Sequence, residues 1–271
     1  MKIFHCDHCH QLIFFENSTC TRCGHALAFL PDLGVMGSLD PLDATHWRSP
    51  LVPGRSWRLC RNYSEHDLCN WAVDARDPGP LCWSCRLTRV IPDLAAPGNR
   101  EAWFRLEVAK RRVICNLLQL RLPVRSRHED PEHGLAFEFI AAMGKQPVVT
   151  GHSTGVITID IAEADGAQRE KLRAQLGEAY RTVLGHLRHE IGHYYWDRLV
   201  RDGHWLEPFR ACFGDERQDY QAALQRHYAA GPASAWQARF VSAYASAHPW
   251  EDWAETWAHH CSQARSGSRS A

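Results

Sequence analysis

Residues 185–197 read Gly185-His186-Leu187-Arg188-His189-Glu190-Ile191-Gly192-His193-Tyr194-Tyr195-Trp196-Asp197. The stretch contains H-E-x-x-H. On an α-helix, positions i and i+4 share a face, so His189 and His193 can both direct an imidazole at one metal ion. Glu190 follows His189 directly and is placed to take a proton from a water on that ion. Zn²⁺ lowers the pKa of such a water towards neutrality, and the carboxylate then frees the nucleophile. The surrounding pattern is helical. Tyr180, Val183, Leu184, Leu187, Ile191, Tyr194, Tyr195 and Leu199 recur at three- and four-residue steps, and no proline interrupts Ala162 to Glu207. With 17 histidines in 271 residues, composition alone gives only about 0.06 such motifs, so the motif is a signal and not an accident of composition.

The rest of the chain sets bounds. An apolar content of 45% is enough for a real core, and 271 residues allow one or two domains. Lys+Arg and Asp+Glu are both 31, and this balance gives no reason to expect a nucleic-acid or acidic-membrane partner. Met1-Lys2-Ile3-Phe4-His5-Cys6 lacks the apolar run of a signal peptide, and no apolar stretch reaches 18 residues. With 11 cysteines in paired spacing and no signal sequence, zinc ligation in a reducing cytoplasm is the expected use of the thiols.

Those cysteines open the chain. Cys6-x2-Cys9 and Cys20-x2-Cys23 are two knuckles separated by a short loop, the pattern of a Cys₄ zinc ribbon. Cys60, Cys69, Cys82 and Cys85 make a second, less regular set, with Trp71 and Trp83 beside it as expected packing residues. Between them, residues 31–58 carry Pro31, Gly34, Gly37, Pro41, Pro50, Pro53 and Gly54 and read as a loop-like covering segment. Residues 1–98 hold nine Lys/Arg and ten Asp/Glu. Two Cys₄–zinc sites would each add about two negative charges, which argues against phosphate binding and favours a structural or protein-docking role.

Pro92 and Pro97-Gly98-Asn99 mark a boundary. From Asn99, the stripe Trp103, Leu106, Val113, Ile114, Leu117, Leu118 and Leu120 predicts a helix up to Pro123. Its basic residues, among them Arg105, Lys110, Arg111 and Arg112, read as a solvated face. Residues 135–142 and 155–161 read as strands, and a helix follows at about 167–175 before the metal helix. Strands followed by the metal helix give a zincin-type α+β arrangement, in which an edge strand can hold an extended substrate.

A hydrolytic zinc site needs a third protein ligand and one open position. The segment from Tyr244 to His259 offers it. Pro249 can start a helix on which Glu251 and Glu255 share a face, one carboxylate for the metal and one behind it for a ligand histidine. Asp197, Glu216 and Asp215 compete for the ligand position, and Asp197, at i+4 from His193, is better suited to orienting a histidine.

The cysteine-rich N-terminus, HEIGHYYWDRL, FGDERQDY and HPWEDWAETWAH together resemble the bacterial zinc-binding metallopeptidases with an N-terminal zinc-ribbon region, over nearly the whole chain to about residue 260. The Tyr…Glu-x3-Glu spacing is also similar to lethal-factor-type gluzincins. That resemblance implies Glu251 as the zinc ligand, Glu255 as its support and Tyr244 as an oxyanion donor. It also implies further helical sequence beyond the glutamate helix, whereas Cys261–Ala271 is polar and small, as in a shortened member.

The expectation is therefore an α+β protein: a double zinc-ribbon region over 1–95, a zincin-like metallopeptidase domain over 96–261 and a disordered tail over 262–271. Three zinc ions are expected. Two are structural, on Cys6, Cys9, Cys20, Cys23 and on Cys60, Cys69, Cys82, Cys85. One is catalytic, on His189, His193 and Glu251, with Glu190 as general base and a peptide or protein as substrate. The rival reading is a non-catalytic zinc-dependent module that docks a protein through the ribbons. A third is a nucleic-acid-associated protease using the basic 100–127 stretch, which a steep salt dependence of DNA or RNA binding would support and absent binding at low salt would remove.

Overall fold

The computed structural model describes residues 3–142, 148–166 and 182–263. The helix expected at 167–175 and most of the expected tail lie outside these residues. The chain forms two units, Met1–Arg89 with Glu107–Gly134, and Val90–Leu106 with Leu135–Ala271. Helices and strands are mixed, and no helix among the described residues is long and apolar enough to cross a membrane.

In the first unit, β1 (Phe4–His5) and β2 (Leu12–Ile13) make a hairpin around the first knuckle. An antiparallel sheet then runs through β3 (Ala26–Leu30), β4 (Val35–Pro41), β5 (Trp47–Arg48), β6 (Ser56–Leu59) and β7 (Ala72–Asp74) in chain order. Residues 31–58, expected as a covering loop, thus supply three strands of this sheet. The prolines and most of the glycines of that segment sit in its turns and at strand ends. Gly37 lies inside β4 because a Cβ there would come within 2.8 Å of Leu30 Cδ1. With Met36, Gly37, Ser38 and Leu39 all buried, β4 lacks the alternation by which a half-exposed strand is recognised.

The sheet packs Ala28, Leu30, Leu39, Trp57 and Ala72 into one core. Phe15, Phe29 and Trp71 form a second aromatic group, with ring centroids 4.7–6.3 Å apart. Trp71 is fully buried as expected, but Trp83 is 39% exposed and does not share that role. A short helix α1 (Arg61–Ser64) and strand β8 (Thr88–Val90) complete the N-terminal segment.

Helix α2 (Asn99–Gln119) matches the predicted stripe, with Trp103, Leu106, Val113, Ile114 and Leu117 buried. Its basic residues are not all on a solvated face. Lys110 and Arg111 are buried, Lys110 paired with Glu107 at 2.9 Å and Arg111 donating to Leu68 O at 2.6 Å. Burial alone would lower the Arg111 pKa, but the thiols of Cys69, Cys85 and Cys82 and the Glu107 carboxylate raise it. A cation is thus buried beside a cluster of cysteines that carries negative charge when it binds metal.

The second unit carries β9 (Ala136–Ile140), β10 (Gly151–Ser153) and β11 (Val156–Asp160). β11 pairs with β9 in parallel and with β10 antiparallel, in the order β10-β11-β9. β10 has no counterpart in the sequence reading, since three residues are too short for a periodic signal. Helix α3 (Val183–Tyr195) carries the H-E-x-x-H motif, and Thr182 caps it by accepting the Gly185 N–H at 2.9 Å. It runs into a π-helical turn, Trp196–Arg201. Helices α4 (Leu206–Phe213), α5 (Tyr220–Ala230) and α6 (Pro249–Gln263) follow. Trp196, Val200 and Phe209 bury against Trp250 and Trp253, which locks the end of the metal helix to α6. Ser262 and Gln263, expected in the tail, belong to α6.

Candidate metal centre

Helices α3 and α6 approach closely because Gly192 has no side chain. A Cβ there would meet Ala254 Cα at 3.0 Å and Trp257 Cβ at 3.3 Å. The approach is pinned by Trp253 Nε1–H, which donates to Gly192 O at 2.8 Å. The glycine of H-E-I-G-H therefore admits the α6 backbone and brings its carboxylates to the two histidines.

The resulting cluster is His189, His193 and Glu251. The two Nε2 atoms face each other at 3.1 Å. Glu251 Oε2 lies 3.1 Å from His189 Nε2 and 3.8 Å from His193 Nε2. Tetrahedral ligands about 2.0–2.1 Å from one ion stand about 3.3–3.4 Å apart, so these separations suit a common ion. Glu251 is buried, and its Oε2 has no hydrogen-bond partner among the described residues. A buried, unsatisfied carboxylate oxygen is costly unless something else satisfies it, and a cation between the three donors would do so. Imidazole and carboxylate donors suit zinc.

The groups behind the donors are ordered. Glu255 Oε1 is 2.8 Å from His189 Nδ1, which fixes that ring with Nε2 turned to the cluster. Tyr220 Oη–H donates to Glu251 Oε1 at 2.6 Å. Sequence reading singled out Glu255 but not Tyr220, although Tyr220 closes the acidic stretch FGDERQDY. It is the first residue of α5, which Asp219 caps by accepting the Ala222 N–H at 3.0 Å.

Each rival for the third ligand position is engaged by an arginine. Glu216 takes a bidentate contact from Arg210 at 2.5 and 3.0 Å, and Asp215 pairs with Arg217 at 2.8 Å. Asp197, expected to orient a histidine, pairs with Arg201 at 2.8 Å instead. Asp197 lies in the π-helical turn that follows α3, where helical spacing departs from the α-helical i+4 register. His248 accepts the Trp250 N–H at the start of α6 and is thereby committed to the helix end.

A cleft of about 740 Å³ opens at the cluster, lined among others by residues of β10 and by Tyr220, Tyr228 and Tyr244. The Tyr244 ring lies 6.0 Å from the His189 ring. Burial, then the nearby Glu251 charge, holds the Tyr244 hydroxyl firmly protonated. Glu190 lines the same cleft. Burial would raise its pKa, but the His186 hydrogen bond and the neighbouring histidines bring it down to about 2, so it is ionised.

The first unit brings together the two cysteine sets. Cys6 and Cys23 Sγ are 3.6 Å apart, as are Cys9 and Cys20, and in the second set Cys69 lies 3.8 Å from Cys82 and 3.6 Å from Cys85. Four sulfurs about 2.3 Å from a tetrahedral ion stand about 3.8 Å apart, whereas a disulfide needs about 2.05 Å. Backbone N–H groups of Trp71, Cys82 and Cys85 reach the sulfurs of Cys69, Cys60 and Cys82, each at 3.4 Å, which favours thiolates. His25 Nδ1 lies 3.3 Å from Cys23 Sγ, and its ring stacks on His8 beside Asp40. His8 lies between Cys6 and Cys9 in the first knuckle, and the fold brings His25 and the Asp40 carboxylate to it.

Comparison with known proteins agrees with both halves. Residues 3–96 match a zinc-ribbon domain, and residues 99–264 match the family described as "Putative zinc-binding metallo-peptidase". Uncharacterized proteins of Mycobacterium bovis and of two Mycobacterium tuberculosis strains are each 45% identical over 261 residues, covering 96% of this chain and 72% of the relative. No solved structure matches. With that match over more than half of its length, the chain belongs to this family of zinc-binding metallopeptidases.

Proposed function

We propose that the protein is a zinc-dependent, zincin-like peptidase of the gluzincin type, with His189, His193 and Glu251 holding a catalytic ion and the two Cys₄ sets holding structural ones. The observation that carries this reading is the buried Glu251 Oε2, without a hydrogen bond among the described residues and set against two imidazole nitrogens that face each other. A zinc ion held there supplies Lewis acidity and brings the pKa of a water near neutral.

The chain's own residues do the rest. Glu190, ionised and on the cleft wall, takes the proton from the attacking water and passes it to the leaving amine. Tyr244, protonated and lining the same cleft, donates its hydroxyl hydrogen to the oxyanion that develops on the scissile carbonyl. Glu255 and Tyr220 keep His189 and Glu251 in place. The edge strand β10, with Thr150 and Thr154 at its ends, is suited to pair with an extended peptide. The ribbon region, residues 1–98, serves as a structural or protein-docking part, in keeping with its ten Asp/Glu against nine Lys/Arg.

Elemental analysis of the full chain, beside hydrolysis of fluorescein-labelled casein, tests the reading. Three zincs per chain in the wild type and two in Glu251→Ala are expected, with casein cleavage by the wild type and none by a zinc-replete Glu190→Gln. Activity retained in Glu190→Gln would refute the mechanism. A zinc-loaded but inert wild type would favour the non-catalytic docking module.

A further inference from the structure

Glu190 is held from behind. His186, one helical turn earlier on α3, sets Nε2 3.1 Å from Glu190 Oε1 and Nδ1 2.5 Å from Glu163 Oε2. The other oxygen of Glu163 accepts the Thr150 hydroxyl hydrogen at 2.7 Å, and Thr150 Oγ1 accepts the Asp160 N–H at 3.1 Å. A continuous chain of hydrogen bonds thus runs from the end of β11, through Thr150, Glu163 and His186, to the proposed base. The side chains of Glu163, His186 and Glu190 are 8%, 14% and 7% exposed, so bulk water contributes little to holding them.

An ionised carboxylate only accepts hydrogen bonds, so an imidazole between two of them must donate from both nitrogens. The ring is then a cation between two anions. Burial opposes that state, and the hydrogen bonds to Glu163 and Glu190 outweigh it, raising the His186 pKa to about 9. The third titratable group facing the ring is His189, edge-on with centroids 6.5 Å apart. Buried ionic clusters are poor sources of net stability, because desolvation offsets most of the attraction. Placed in a cleft and bonded to the proposed base, this one has a use in the chemistry. A glutamate on a cleft wall otherwise samples several rotamers, and a general base must hold one of them to within a fraction of an ångström.

We propose that His186 is the positioning residue of the general base: anchored at Nδ1 by Glu163, it donates Nε2–H to one oxygen of Glu190 and turns the other towards the attacking water. This rests on the peptidase reading above. The H-E-x-x-H pattern says nothing about the residue four before the glutamate, nor about Glu163.

The test uses the zinc-loaded full chain and two readouts. The first is ¹⁵N NMR of histidine-labelled protein near neutral pH, in which both ring nitrogens of His186 are expected to carry protons. The second is casein hydrolysis. His186→Ala and Glu163→Ala are each expected to lower kcat by about 10–100-fold, with KM within about threefold and zinc content unchanged. Because both act through one chain of bonds, the double variant is expected to be no slower than the slower single variant. Glu163→Gln, whose amide oxygen still accepts Nδ1–H, is expected to retain more activity than Glu163→Ala. An active wild type whose His186 has an unprotonated nitrogen, or losses that multiply in the double variant, would overturn the positioning role alone. An inert wild type would remove the peptidase reading and the positioning role with it.

Discussion

At the scale of single residues, the cluster depends on side chains that touch its donors from behind. Tyr220 Oη–H is bonded to Glu251 Oε1, so Tyr220→Phe removes one hydrogen bond and leaves the ring packing unchanged. Zinc affinity at that site is expected to fall about 10-fold, near the low end for such partners, as read by competition with a chromogenic chelator, while far-UV circular dichroism stays at the wild-type value. Glu255→Gln is expected to weaken binding as well, since it takes a charged acceptor from His189 Nδ1. His186 gives a pH signature. Its folded pKa, about 9, lies above the value near 6.5 of an unfolded histidine. The stability it contributes is therefore fully present below about pH 6.5 and is lost as pH rises through about 9. Urea unfolding of the wild type against Glu163→Gln is expected to show a larger gap at pH 6 than at pH 10. An equal gap at both would mean that the ion pair is absent.

At the scale of elements, the geometry of the cluster is set by how near α3 and α6 come. Gly192 is the contact point, with Ala254 Cα 3.0 Å from where a Cβ would sit. Gly192→Val has to push the two helix backbones apart, and overpacking of this kind costs about 1–3 kcal/mol. The variant is expected to fold, with a lower melting temperature, and to carry one zinc per chain fewer than the wild type. Unchanged zinc content would mean that α6 does not supply a ligand. The π-helical turn after Tyr195 is a second element-scale device. It turns Asp197 to Arg201 while Trp196 and Val200 remain in the core shared with α4.

At the scale of the molecule, each unit has its own core and its own metal chemistry. The first relies on a short-stranded sheet and two cysteine sets, and small cores of that kind depend on their metal. Stripping zinc with a strong chelator is expected to direct early tryptic cuts to residues 3–96 before residues 182–263, read by mass spectrometry; the reverse order would show that the cysteine sets are not structural. The formal charge balance of zero, with no basic excess in the N-terminal region, leads to a further expectation: no retention on single- or double-stranded nucleic acid at about 0.15 M salt. The sequence by itself determined the H-E-x-x-H helix, the four-cysteine sets, strands β9 and β11 and the pairing of Glu251 with Glu255 on one face. Each of these is written in local spacing, which helix and strand periodicity convert directly into a shared face. Only the tertiary structure decided that residues 31–58 form strands, because there the pattern is spread over turns and a fully buried strand. It also decided that Arg111 is buried against cysteines, that Tyr220 holds Glu251, and that Glu163 and His186 back Glu190. His186 and Glu190 are one helical turn apart, but the Arg111–Leu68, Glu163–His186 and Tyr220–Glu251 contacts join residues 23 to 43 positions apart, and Gly192 with Ala254 lies farther still. No local period encodes such distances; they follow from which apolar faces bury together and how closely two backbones can approach.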